Sequence, residues 1–221
     1  KNLFCQNLFR YIFECYITTT AQKPPANFLA SILAVVITIL RLSEEIKFSD
    51  EETISKFLAT IPPTLSTILQ TSQETVQKMV EFQGLIDISN VTISHIHSCL
   101  AYISESILLC YLLNSEMAKS FYLQFFASNV ESYLSNQATL SFGLSIAAVG
   151  TIISEDKTKL FEMLQLYFKF ANDLANIDTS DDTQCDALKS IGKMLKYMPF
   201  NNTEDEVNAC RYIIQQFYMY L

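Results

Sequence analysis

The side chains that could do chemistry in this 221-residue sequence fall into a few short groups. His95 and His97, with Cys99 close by, are ligand types for a transition metal or the partners of a thiol nucleophile. Residues two apart on a helix point away from each other, and no second cluster completes four ligands. Neither a metal nor a catalytic Cys–His pair is therefore expected here. Asp173, Asp178, Asp181, Asp182 and Asp186 form an acidic cluster of the kind that can hold a hard divalent cation. An EF-hand loop is excluded, because Thr183 stands where the loop needs Gly and Lys189 where it needs Glu. The simpler expectation is a solvated loop whose acids favour the N-terminus of the following helix.

Lys189, Lys193 and Lys196 recur at helical spacing and make a small basic strip. Contact with an acidic partner is the functional reading, and the exposed face of an amphipathic helix is the plainer one. These three are the only partner-binding candidates the sequence offers. Phe121, Tyr122, Phe125 and Phe126 make a dense aromatic run, expected in the core. No Gly-rich phosphate loop and no Gly-x-Ser-x-Gly elbow is found. No catalytic residue, metal or cofactor is expected, and the chain is not expected to be an enzyme.

Helices must position these residues. The chain has only 4 Gly and 5 Pro, half its residues are hydrophobic and 17% are charged. Turn-rich β proteins need more turn residues, and a disordered linker needs fewer aromatics and more charge. The net charge is −8 and the 15 Lys and Arg are scattered. A phosphate backbone calls for a dense basic face, so nucleic acid is not expected as a direct partner. Most of the six cysteines lie within apolar helical runs as small hydrophobes, none in a Cys-x-x-Cys pair. That points to a reducing, intracellular compartment, cytoplasm or nucleus.

Along the chain, Asn2 to Thr20 carries Leu3, Phe4, Leu8, Tyr11, Ile12 and Cys15 on one side, which is helical spacing. Lys23-Pro24-Pro25 stops that helix, and Ala26 to Lys47 is the next. Ser49-Asp50-Glu51-Glu52 is a capping box opening a helix that Pro62-Pro63 is expected to break. A short helix from about Thr64 to Gln70 follows. A second capping box at Thr71-Ser72-Gln73-Glu74 leads a helix to Gly84. Beyond residue 90, helices of roughly 18 to 22 residues are expected to start near Thr92, Ser115, Asn136, Glu155, Asp181 and Glu204. Thr203 with Glu206 caps the last. Short loops force antiparallel neighbours, and alternate starts recur about every 45 residues.

Phe28 to Leu40, FLASILAVVITIL, holds no charge. Thirteen residues at about 1.5 Å each span only about 20 Å of a bilayer core of about 30 Å. A buried helix is expected, not a membrane span. Leu140 to Ile153 is expected to be buried in the same way.

The helix pairs resemble HEAT or armadillo repeats. Ala187-Leu188 with Ile191-Gly192 carry the resemblance, and less closely Ala138, Leu140, Phe142 and Gly143. The resemblance implies an all-α solenoid of about five stacked antiparallel pairs. It covers about residues 92 to 221 and is blurred before residue 90; the chain is expected to be one helical-repeat domain, 1–221, with 1–90 less regular and 91–221 in regular repeats of about 45 residues. The resemblance also implies a non-catalytic protein–protein interaction scaffold or adaptor in a larger complex. A nuclear transport receptor fragment and a membrane-embedded helical bundle are the alternatives. Because the sequence starts at Lys1 within a helical pattern and ends as abruptly, it is expected to be a piece of a longer chain. The aspartates also resemble the metal-binding motifs of terpene synthases, through Asp181-Asp182 with Asp186 and through Asn172-Asp173. In that family the two motifs lie on distant helices. Here they are nearly adjacent, and Asn176 and Ser180 stand where the second motif needs Ser or Thr and Glu.

Overall fold

The computed structural model describes residues 2–45, 50–81, 86–172, 181–198 and 203–218. The described residues form helices joined by short connections, with no strand among them. The chain divides into two compact units, residues 1–128 and 129–221.

The first unit holds α1 (Asn2–Thr20), α2 (Ala26–Glu45), α3 (Glu51–Glu81), α4 (Ile86–Leu113) and α5 (Ser115–Phe125). α1 packs on α2 and α3, α2 on α4, α3 on α4, and α5 on α3 and α4. The core joins Phe9, Phe13 and Tyr16 of α1 to Phe57 of α3, whose ring lies 5.0 Å from Phe13 and 5.2 Å from Tyr16. α4 buries a long run that includes Ile103, Ile107 and Cys110. Glu105, the one acid in that run, pairs with Arg41 of α2 and so ties the two most apolar helices of this unit together by charge.

Pro62 and Pro63 do not break their helix, against the sequence expectation: α3 runs through both. Two prolines cost the i+4 donors of Leu58 and Ala59 and about 3 kcal/mol each. The apolar period nevertheless continues across them. Ile54, Phe57, Leu58 and Ile61 are buried before the pair, and Leu65 and Ile68 after it. Each fully buried side chain contributes about 1.5–3 kcal/mol, so six of them outweigh the two prolines. Because the helix is continuous, Thr71 caps nothing. Its hydroxyl donates to the Thr67 carbonyl inside α3. Asp50 caps α3, accepting the Thr53 N–H at 3.3 Å. Ser49 and Gly84 lie outside the described residues.

The second unit holds α6 (Val130–Ser135), a 3₁₀ turn at Gln137–Thr139, α7 (Leu140–Ser154), α8 (Lys157–Asn172), α9 (Asp181–Tyr197) and α10 (Glu204–Tyr218). α7 is its centre, packed by α6, α8 and α9, while α8 packs on α9 and α10. Every residue of α7 from Phe142 to Ile153 is buried, Ser145 and Thr151 included, as the lack of charge in that stretch predicts. Tyr167 of α8 donates its hydroxyl to the Leu144 carbonyl. α6 lies so close to α7 that a Cβ at Gly143 would sit 2.9 Å from the backbone of Tyr133 and Leu134. The capping box of α10 is formed in both directions. The Thr203 N–H donates to Glu206 Oε2 at 2.7 Å, and the Glu206 N–H to Thr203 Oγ1 at 3.4 Å.

The uniform helix lengths expected after residue 90 are not found. α4 has 28 residues and α5 only 11, and α6 has 6. α4 starts before Thr92 because Ile86 onward already continues its pattern. Asn136 does not open a helix of its own but caps the 3₁₀ turn, accepting the Ala138 N–H at 3.0 Å.

Candidate functional site

Lys189, Lys193 and Lys196 lie on the outer side of α9, whose inner side buries Ala187, Ser190, Ile191 and Met194. Lys189 and Lys196 are exposed and Lys193 half-buried, with the Lys196 ammonium 4.7 Å over the Tyr197 ring. The three lysines share one face, as their spacing predicts, and each has interactions within the fold. Leu188, one of the residues that carry the repeat resemblance, is 40% exposed. On α10, Ile213 is buried, but Val207 and Ile214 are exposed, so its buried stripe is narrow.

The other candidates separate. His95 and His97 are half-buried on α4, and no group of three metal-ligating side chains gathers among the described residues. The Cys99 thiol is buried against the Ala26 carbonyl at 3.5 Å, and burial pushes its pKa up to about 12. A reactive cysteine needs a thiolate, and this one stays protonated at neutral pH. Asp173 and Asp178 lie outside the described residues. Asp181, Asp182 and Asp186 fall in the first part of α9. Of the aromatic run, Phe121, Tyr122 and Phe126 are buried with ring centroids 5.8 Å and 6.3 Å apart, and Phe125 alone is exposed.

Spacing picks out one face of α1 in the sequence, but not that the fold leaves this face uncovered. Phe4, Leu8, Tyr11 and Cys15 follow the 4-3-4 spacing of a helix–helix seam. The structure buries the opposite side, Phe9, Phe13 and Tyr16, and leaves Phe4 73% and Tyr11 63% exposed. α1 thus has two apolar faces and one of them is uncovered. α2 repeats the arrangement. Phe28, Ser31, Val35, Thr38 and Leu42 are exposed at 3-4-3-4 spacing, while Leu33, Val36, Ile37 and Leu40 are buried. The signal lay in α2 itself, whose apolar residues exceed what one buried face requires.

The same apolarity gives α2, and residues 91–113 of α4, the length and composition of a membrane span. The thirteen uncharged residues sit in a helix of 20, about 30 Å long. Of the apolar window in α2, 39% is buried within the fold, and of that in α4, 56%. A comparison with protein-family models, with curated proteins and with solved structures finds no match to this chain.

Proposed function

We propose that the chain is a non-catalytic protein–protein interaction scaffold, a subunit of a larger complex, and that the uncovered faces of α1 and α2 receive a helical partner. The observation that carries this reading is the pair of exposed seams at 3.5-residue spacing, apolar on α1 and mixed apolar and hydroxyl on α2. That period suits knobs-into-holes packing by another helix, and apolar area of this kind is what association buries. A stacked-pair arrangement within each unit, of the HEAT or armadillo kind, belongs to the same proposal. It is supported by the packing order, in which α1 lies on α3 and α2 on α4, and α7 on α9 and α8 on α10. In such arrays each pair needs a neighbour to cover its outer face. A site inside the cell also belongs to the proposal, supported by the free thiols of Cys15, Cys99, Cys110 and Cys210.

A second reading, membrane association through α2, is favoured by the length and apolarity of that helix. Detergent-free affinity purification of the wild type beside a Leu8→Glu/Val35→Glu variant separates the two. The scaffold reading expects a stoichiometric companion recovered without detergent and lost in the variant, whose circular dichroism is unchanged. A companion held equally by the variant, or a chain extracted only by detergent, overturns it.

A further inference from the structure

A cleft of about 390 Å³ opens in the first unit where the last turn of α1, the Lys23-Pro24 connection, the first turn of α2 and the middle of α3 converge. Its volume lies toward the small end of the roughly 300–1,000 Å³ typical of small-molecule sites. Ile17, Leu29, Ala59 and Pro63 make the walls apolar. Thr20, Thr60, Thr64 and Thr67 line it too, and the protons of three of them are spent on their own helices. Thr20 donates to the Tyr16 and Ile17 carbonyls, Thr60 to Phe57 and Thr67 to Pro63. Their oxygens are left to accept.

The cleft's one cation is Lys23, which makes no ion pair among the described residues. Its backbone is as informative as its charge. Lys23 has φ 49°, in the left-handed region, and its N–H bonds the Thr20 carbonyl at 3.1 Å to close α1. Glycine is the residue that helix ends of this form ordinarily use. A lysine there accepts backbone strain and gains only its side chain, which stands at the cleft mouth beside the start of α2.

We propose that this cleft binds a small monocarboxylic acid with a short, unbranched apolar tail. The carboxylate sits at Lys23, and the tail lies against Ile17, Leu29, Ala59 and Pro63. A single cation over apolar walls suits one negative charge. A phosphate would leave most of its charge unmatched in the same place. The site is independent of the exposed faces of α1 and α2 and of what docks there.

The test is a ¹H–¹⁵N NMR titration of the whole chain with octanoate, with octanol and with acetate. Octanoate is expected to shift the amides of Thr20, Leu29 and Thr64 saturably. Octanol, lacking the charge, and acetate, lacking the tail, bind about tenfold more weakly or less. Lys23→Gly is expected to reduce octanoate to the affinity of octanol while the thermal midpoint holds or rises, since the strain is removed. Ala59→Leu, which fills the cleft from an exposed position on α3, abolishes both. Equal affinity for octanol and octanoate, shifts centred on Phe4, Tyr11 and Val35, or unchanged octanoate binding in either variant overturns the proposal.

Discussion

At the scale of single residues, the two glycines that share the repeat resemblance behave oppositely. Gly192 is exposed on α9, and a Cβ there would meet nothing within 4 Å. Its only structural effect is the extra freedom it gives the unfolded chain. Gly192→Ala is therefore expected to stabilise the protein by about 0.5–1 kcal/mol, read as a higher urea midpoint with an unchanged slope. At Gly143 a Cβ would sit 2.9 Å from the backbone of α6. Gly143→Ala must push that short helix away and is expected to cost about 1–3 kcal/mol in the same measurement. Equal effects from the two changes would mean that α6 does not hold its place against α7. Asp50 is a residue-scale device of another kind. Burial alone would raise its pKa, but Arg10 at 2.5 Å and the Thr53 N–H bring it below the usual carboxylate value. A carboxyl whose folded pKa is depressed stabilises the fold above its unfolded value and loses that contribution as pH falls through the folded one. Stability should fall below about pH 4 partly through this group, and Asp50→Asn should flatten that part of the acid limb. Asp50→Ala, which also removes the cap of α3, should cost about 1 kcal/mol more at neutral pH.

At the scale of elements, α3 is the instructive helix. Its prolines are tolerated because the buried period runs through them, so the missing donors are a cost that packing outweighs. Replacing both with alanine returns a donor to the Leu58 and Ala59 carbonyls without changing the buried face. Pro62→Ala/Pro63→Ala is expected to raise stability by about 1–3 kcal/mol, less than the full helix penalty of two prolines because alanine also frees the unfolded chain. A loss of stability would show that the pair shapes the packing of Ile61 and Leu65, and that α3 is not simply a helix with two donors missing. The helix inventory was largely legible in the sequence. The starts of α5, α9 and α10, the reciprocal Thr203–Glu206 cap and the burial of α7 all follow from local signals. What was not legible needed tertiary knowledge. A local rule reads Pro-Pro as a break, because the rule cannot see Ile61 and Leu65 held on one core. Periodicity found the Phe4–Leu8–Tyr11 face of α1 but not that Phe9, Phe13 and Tyr16 form a second face, which the aromatics of α3 claim. The lysine strip on α9 could be placed from spacing alone. The cleft at Lys23 could not, since its walls come from three segments that the fold alone brings together.

At the scale of the whole molecule, the division at residues 128 and 129 makes a physical claim about each part. The first unit has an aromatic core of its own, in which Phe9, Phe13, Tyr16 and Phe57 are fully buried. The second is built round α7, whose twelve consecutive buried residues need cover on every side, and α6, α8 and α9 of the same unit supply it. Helical arrays draw their stability from each element and its immediate neighbours, so a unit that holds the main neighbours of its central helix among the described residues carries its own stability. Residues 129–221 expressed alone are accordingly expected to keep their helical circular dichroism and to unfold in one cooperative transition. Leu144→Ala, at a fully buried position of α7, should lower that transition by about 2–5 kcal/mol. Ile214→Ala, at an exposed position of α10, should move it by less than about 0.5 kcal/mol. A broad, non-cooperative melt of this piece, or equal effects from the two substitutions, would show that α7 is not the centre of an independent core. The same experiment on residues 1–128 asks more of the fold, because the uncovered seams of α1 and α2 remain on that piece. Its helices should hold through the aromatic core while the exposed apolar faces promote self-association, seen as a mass above the monomer in light scattering. Phe4→Glu with Val35→Glu should return it to the monomer at unchanged helix content, since both side chains lie outside the core.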